Sequence, residues 1–133
     1  MATLTKVKIS NEWDLYPVRI TARKLADNVG FNIVDKAKIE IAVSELARNI
    51  INYAEYGEIF LQEVTMLNKK GLKIIALDEG NGIENIEKAL IDGFSTSNGL
   101  GYGLPSVKRL MDEFEIQSEI GKGTKIYTVK WLR

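Results

Sequence analysis

Glu45 and Asn49, in the stretch Glu45-Leu-Ala-Arg-Asn49, are four residues apart and could act on one substrate. At helical spacing they share one side of the helix, about 60–100° around the axis from the apolar Leu46. That puts them at the border of a buried stripe, where a cleft can open. An Asn amide oxygen can ligate Mg²⁺, and a carboxylate beside it can take a proton from a hydroxyl or orient a water. Taken alone, the pair reads first as a solvated helix face.

A second group, Asp78-Glu-Gly80-Asn-Gly82, follows an apolar run. A carboxylate at a strand end can accept a hydrogen bond from an exocyclic amine such as that of adenine. The two glycines would let backbone approach a planar ring. Alone, these residues also spell a plain turn. The third group is Gly99-Leu-Gly101-Tyr-Gly103-Leu-Pro105, directly before a helical pattern. Backbone N–H groups in such a loop and at a helix start form an anion site; a flexible hinge is the plainer alternative. G-x-G-x-G is neither the Rossmann fingerprint nor a Walker A loop. Gly121-Lys-Gly-Thr124 reads first as a hairpin turn, with a functional Thr124 hydroxyl as the sharper alternative. Phe94-Ser-Thr-Ser97 could form the lip of a lid.

Composition narrows the chemistry. The chain has no Cys and no His, which excludes disulfides, zinc clusters, Cys nucleophiles, Ser-His-Asp triads and phosphohistidine within it. Any metal must be held by carboxylates, amides and water, which favours Mg²⁺. Lys plus Arg and Asp plus Glu are both 18, so the net charge is zero, which argues against a nucleic-acid binder. No apolar run is long enough for a membrane span, and MATLTKVKIS lacks a signal-peptide core, so a cytoplasmic protein is expected.

The elements that must position these residues fit one domain over 1–133. Thr3 to Ile9 alternates as a half-buried strand. Leu15, Val18, Ala22, Leu25 and Val29 mark a helix, with Asp14 as N-cap, Pro17 in the first turn and Gly30 at the end. A second helix is predicted from about Asp35 to Tyr53, with Gly57 ending it. Strands follow at Ile59 to Met66 and Leu72 to Leu77, joined by a turn at Asn68-Lys-Lys-Gly71. Ile83 to Gly93 reads as a short polar helix or lid. Leu104, Val107, Leu110, Met111 and Phe114 mark a third helix. Phe114, Ile116, Ser118 and Ile120, then Tyr127, Val129 and Trp131, alternate as two closing strands. The order β-α-α-β-β-lid-α-β-β predicts an α/β (α+β) two-layer sandwich, a mixed, mainly antiparallel sheet covered on one face by three helices.

E-x-x-x-N on a helix, D-x-G-x-G after a strand, G-x-G-x-G before a helix and G-x-G-T in a hairpin, in that order, resemble the GHKL (Bergerat) superfamily of ATP-binding domains over nearly the whole chain. This is the superfamily of gyrase, Hsp90, MutL and histidine kinase catalytic domains. Only 16 residues separate Gly82 from Gly99. SELARNI, DEGNGI, GFSTSNGLGYGLPSVKRLMDEF and KWLR are similar to the small bacterial anti-sigma-factor serine/threonine kinases, most of all to the switch kinase of the stressosome. The resemblance implies a protein kinase that uses ATP and Mg²⁺. By the same resemblance it would phosphorylate a serine of an STAS-domain antagonist and, once released, bind and activate a PP2C-type phosphatase, with a stressosome scaffold as a further partner. By motif, Glu45 would be the general base and Asn49 the Mg²⁺ ligand. Asp78 would bind adenine, with Gly80 and Gly82 shaping the pocket and Thr124 supporting it. Gly99, Gly101 and Gly103 would cradle phosphates, and Leu104 would be a further nucleotide-binding residue. Arg48, Lys108 and Arg109 are candidates for the γ-phosphate. Many anti-sigma kinases carry a His soon after the Asn; Asn52 and Tyr53 stand here, which favours the switch-kinase branch. The alternatives are an anti-sigma factor that sequesters a sigma factor, and a non-kinase ATP-binding sensor.

Overall fold

The computed structural model describes residues 3–83, 86, 90 and 103–133. Strand β1 is Thr5–Ile9, slightly shorter than predicted. Asp14 does not cap the following helix by its side chain. Its carboxylate instead reaches back to accept the Ser10 N–H at 2.8 Å and the Asn11 N–H at 3.3 Å, closing a short 3-10 turn over Glu12–Asp14. Helix α1, Leu15–Val29, buries Val18, Ala22, Ala26 and Val29. Gly30 ends it in the left-handed region at φ 106, its N–H donating to the Ala26 carbonyl. Only glycine adopts that conformation freely. Asn32 then caps α2, Ile33–Tyr53, by accepting the Asp35 N–H at 2.8 Å.

Helix α2 stops at Tyr53, so Gly57 does not end it. Gly57 is the first residue of β2, Gly57–Met66. A Cβ there would stand 2.9 Å from Ile50 Cγ2, so glycine lets the helix sit down on the strand. β2 turns into β3, Lys69–Asp78, through Leu67 and Asn68, both at positive φ. A two-residue hairpin turn needs such angles to match strand twist. Lys69 to Gly71, expected in the turn, therefore belongs to β3. Helix α3 is Gly103–Leu110, and Phe114 lies beyond it in β4, Glu113–Glu119. β5 is Gly123–Trp131. Most of the expected lid over 83–93 lies outside the described residues.

The sheet has five strands in the order β1-β2-β3-β5-β4, and every observed pairing is antiparallel. Among the described residues, three α-helices cover one face, giving the two-layer sandwich. Ile9, Ile59, Leu61, Leu72, Ile74 and Ile126 meet Val18, Ile39, Val43, Leu46, Ile50 and Val107 between the layers. On β5 the inward set is Thr124, Ile126, Thr128 and Lys130, while the more apolar alternates Tyr127, Val129 and Trp131 lie on the opposite face. Thr128 is tolerated there because its hydroxyl donates to the Ile74 carbonyl at 2.8 Å. Among the described residues no helix is long and apolar enough to cross a membrane.

Candidate functional site

Two groups of side chains and loops meet along the C-terminal half of α2. The first joins α2 to α3. Asn49 is buried at 8% exposure, deeper than the border position predicted, and Glu45 lies one turn before it. One Glu45 oxygen accepts from the Arg48 guanidinium at 2.9 Å. The other faces the start of α3: a Cβ on Gly103 would stand 3.5 Å from Glu45 Oε2. Two motifs 58 residues apart in the chain, Glu45 and Gly103, thus come together. Leu104 and Pro105 are buried in the first turn of α3, which fixes the orientation of that end. Arg48 is engaged by Glu45, Arg109 donates to Ser106 Oγ at 3.3 Å, and Lys108 is exposed. Gly99 and Gly101, with the stretch from Phe94 to Ser97, lie outside the described residues.

The second group sits at the ends of β3 and β5. Asp78 is the last residue of β3, opposite Gly57 on one side and Thr124 on the other. It is 5% exposed, and its Oδ1 accepts the Gly80 N–H at 2.8 Å. Burial pushes its carboxyl pKa up, opposed by the backbone N–H groups of Gly80 and Thr124. The loop after it is held on two sides. Asn81 N–H donates to the Tyr53 carbonyl at the end of α2, and Gly121 N–H donates to the Asn81 carbonyl.

The glycines of this loop serve a purpose the sequence reading did not assign. A Cβ on Gly80 would stand 2.7 Å from Ala54 Cβ and clash with the Tyr53 carbonyl, so its missing side chain admits the end of α2. Gly82 packs in the same way on the backbone of Glu119 in the β4–β5 hairpin. Both positions answer to protein backbone as well as to any ring. Thr124, 4% exposed, lies 2.8 Å from the hydroxyl of Ser118. Ser118 also accepts the Ile83 N–H at 2.7 Å and donates to the Gly123 carbonyl at 3.1 Å. It ties the loop, the hairpin and Thr124 together. In the sequence it is one more residue of an alternating strand. A cavity of about 260 Å³ opens beside Asp78, Ser118 and Thr124, with Lys122 and Lys125 at its edge.

The donor set bears on metal binding. Among the described residues no three carboxylates cluster, and the chain has no His or Cys. Asn49 beside Glu45 fits a hard cation held by few protein oxygens and completed by phosphates and water, the usual habit of Mg²⁺.

Comparison with known proteins bears on the family and the fold. Residues 10–130 match the family described as histidine kinase-like ATPase domain. The chain is 55% identical over 127 residues to the serine/threonine-protein kinase RsbT of Bacillus subtilis, covering 96% of each. It is 36% identical over 106 residues to the anti-sigma F factor of Caldanaerobacter subterraneus, covering 75% of this chain and 73% of that one. Among solved structures, the mycobacterial sensor histidine kinase MprB superposes with a TM-score of 0.58 at 15% identity, over 97% of both chains, a likeness of fold. The chain belongs to the histidine kinase-like ATPase family and, within it, to the group of the serine/threonine-protein kinase RsbT.

Proposed function

We propose that this protein transfers the γ-phosphoryl group of ATP to a serine of an STAS-domain antagonist and, when released from it, binds and activates a PP2C-type phosphatase. The observation that carries the reading is the meeting of Glu45 with Gly103, the end of a glycine-rich phosphate loop. The likeness to RsbT over 96% of the chain supports the same activity.

In this reading Asp78 presents its second oxygen to the adenine amine while Gly80 N–H holds the first. Thr124, oriented by Ser118, lines the other side of the base. Gly99, Gly101, Gly103 and the N–H of Leu104 bind the phosphates. Asn49 would hold Mg²⁺, which when bound neutralises charge on the phosphate oxygens. The serine oxygen bonds to the γ-phosphorus as the bond to the ADP oxygen breaks, and Glu45 takes the hydroxyl proton. Such transfers depend mainly on position and charge, with the carboxylate acting late.

The test is incubation with labelled ATP, Mg²⁺ and a panel of STAS-domain proteins, followed by phosphatase stimulation by the free kinase. Label on one STAS serine supports the reading; ATP turnover with no labelled protein refutes it and favours an ATP-binding sensor. The 36% identity to an anti-sigma F factor favours one second reading, sequestration of a sigma factor. A stable complex with a sigma factor on a sizing column would support that instead.

A further inference from the structure

Lys130 is the one cationic side chain among the described buried residues, at 5% exposure on the helix-facing side of β5. Its ammonium donates to the Leu110 carbonyl at 2.9 Å, the last residue of α3. It lies 4.0 Å from Asp35 Oδ1 in the first turn of α2 and 3.9 Å from Asp112 Oδ1 just after α3. One ammonium thus joins three elements, at the end of α3 opposite Gly103. A cation at a helix C-terminus also meets the negative end of the dipole and an otherwise orphaned carbonyl.

We infer that Lys130 is a positioning residue for phosphoryl transfer: it pins the far end of α3 so that Gly103 stays against Glu45. The inference rests on the kinase reading above. α3 has eight residues, so it is about 12 Å long. A tilt of about 5° at its far end moves the near end by about 1 Å, and such a misplacement can cost about 100-fold in rate. The adenine group, Asp78, Thr124 and Ser118, is held by its own hydrogen bonds and does not touch Lys130.

Lys130→Met keeps most of the packing and removes the charge and the donors. At saturating ATP, transfer per folded molecule should fall about 100-fold, while adenosine affinity stays within about two-fold. Amide exchange in α3 should quicken by about ten-fold, with β3 unchanged. Lys130→Arg, which restores charge and donors, should recover part of the transfer rate. A role in stability alone would lower the melting temperature and leave transfer by the folded fraction intact; that result overturns the inference. So does unchanged exchange in α3, even if the protein proves not to be a kinase. If K130M does not fold, Asp35→Asn gives the same test with a smaller loss. Absence of transfer by the native protein, with exchange in α3 still Lys130-dependent, would refute the kinase reading and keep the anchor.

Discussion

Replacing Asp78 by asparagine should move nucleotide affinity and stability in opposite directions. The shape is kept, and the amide oxygen can go on accepting the Gly80 N–H at 2.8 Å. The second charged oxygen becomes an NH₂ that points a donor at the donor amine of adenine. Hydrogen bonds to charged groups are worth about 1.5–3 kcal/mol, so ATP affinity should fall about ten- to 150-fold. ADP and adenosine should fall by the same factor because they share the base. Stability follows the carboxyl group. Burial raises its folded pKa above the ordinary value of 3.8, against the opposing N–H groups of Gly80 and Thr124. For an acid with a raised folded pKa, the native state holds the proton more tightly than the unfolded chain. The stabilisation is complete below the unfolded value and is lost as pH rises through the folded one. At neutral pH the buried charge is a net cost that asparagine does not carry. D78N without nucleotide should therefore melt no lower than the native protein at neutral pH and lose any advantage in acid. Titration calorimetry with ATP, ADP and adenosine, with melts at both pH values, measures both effects. Unchanged affinity for all three ligands would remove Asp78 from the base site. A lower melting temperature for D78N at neutral pH would refute the electrostatic reasoning.

Glu45→Ala should cut phosphorylation of the STAS partner by about 100-fold, as expected for a lost general base, with ATP affinity little changed and phosphatase activation retained. Paired transfer and stimulation assays on one preparation check this, and near-normal transfer eliminates the base. Asn49→Ala should weaken Mg-ATP binding more than metal-free ATP binding, since Mg²⁺ relies on few protein ligands; equal losses in calorimetry with and without Mg²⁺ would contradict the assignment. Asp14→Ala removes the acceptor for Ser10 and Asn11 and should cost about 1 kcal/mol, as lost caps do. The Ser10 N–H is the main cause of the lowered Asp14 pKa, so this contribution exists above the unfolded value and vanishes as pH falls through the folded one. Melting curves of D14A and the native protein should therefore converge in acid.

The helix pair and the order of elements along the chain were legible because the apolar spacing is regular there and, at Gly30, the end signal agrees with it. The candidate motifs stood out by residue type, and the structure brings Glu45 to Gly103 and Asp78 to Thr124. What could not be read was the direction in which alternation faces. On β5, hydrophobicity favours Tyr127, Val129 and Trp131 as the inward set, yet Thr128 and Lys130 point to the helices. Each is satisfied by a partner remote in sequence, the Ile74 carbonyl and the Asp35–Asp112–Leu110 cluster. Period-two patterns give two faces without saying which one a helix will cover. Gly57 misled for a related reason: it is a good helix-ending type, but it serves a neighbouring backbone instead. Asp14 does stand at the N-cap position of α1, yet its carboxylate is spent on the Ser10 and Asn11 backbone. Ser118 carried no signal because a lone serine in a strand is ordinary until its partners are known.

The placement of β5 between β3 and β4 has a consequence for how the molecule is made. A ribosome delivers β3 long before β5, so for much of synthesis the inner edge of β3, with Leu72, Ile74 and Ala76, has only β2 beside it. Long-range strand pairing of this kind is slow and leaves an edge open to other chains until it closes. The same late strand brings Thr124 to Asp78 and Lys130 to the two helices. In the proposed reading, a nascent chain lacking β5 has half a base site and an unpinned α3. On that reading, completion of the sheet and competence to hold a nucleotide arrive in one step, and ligand would stabilise only chains in which β5 has docked.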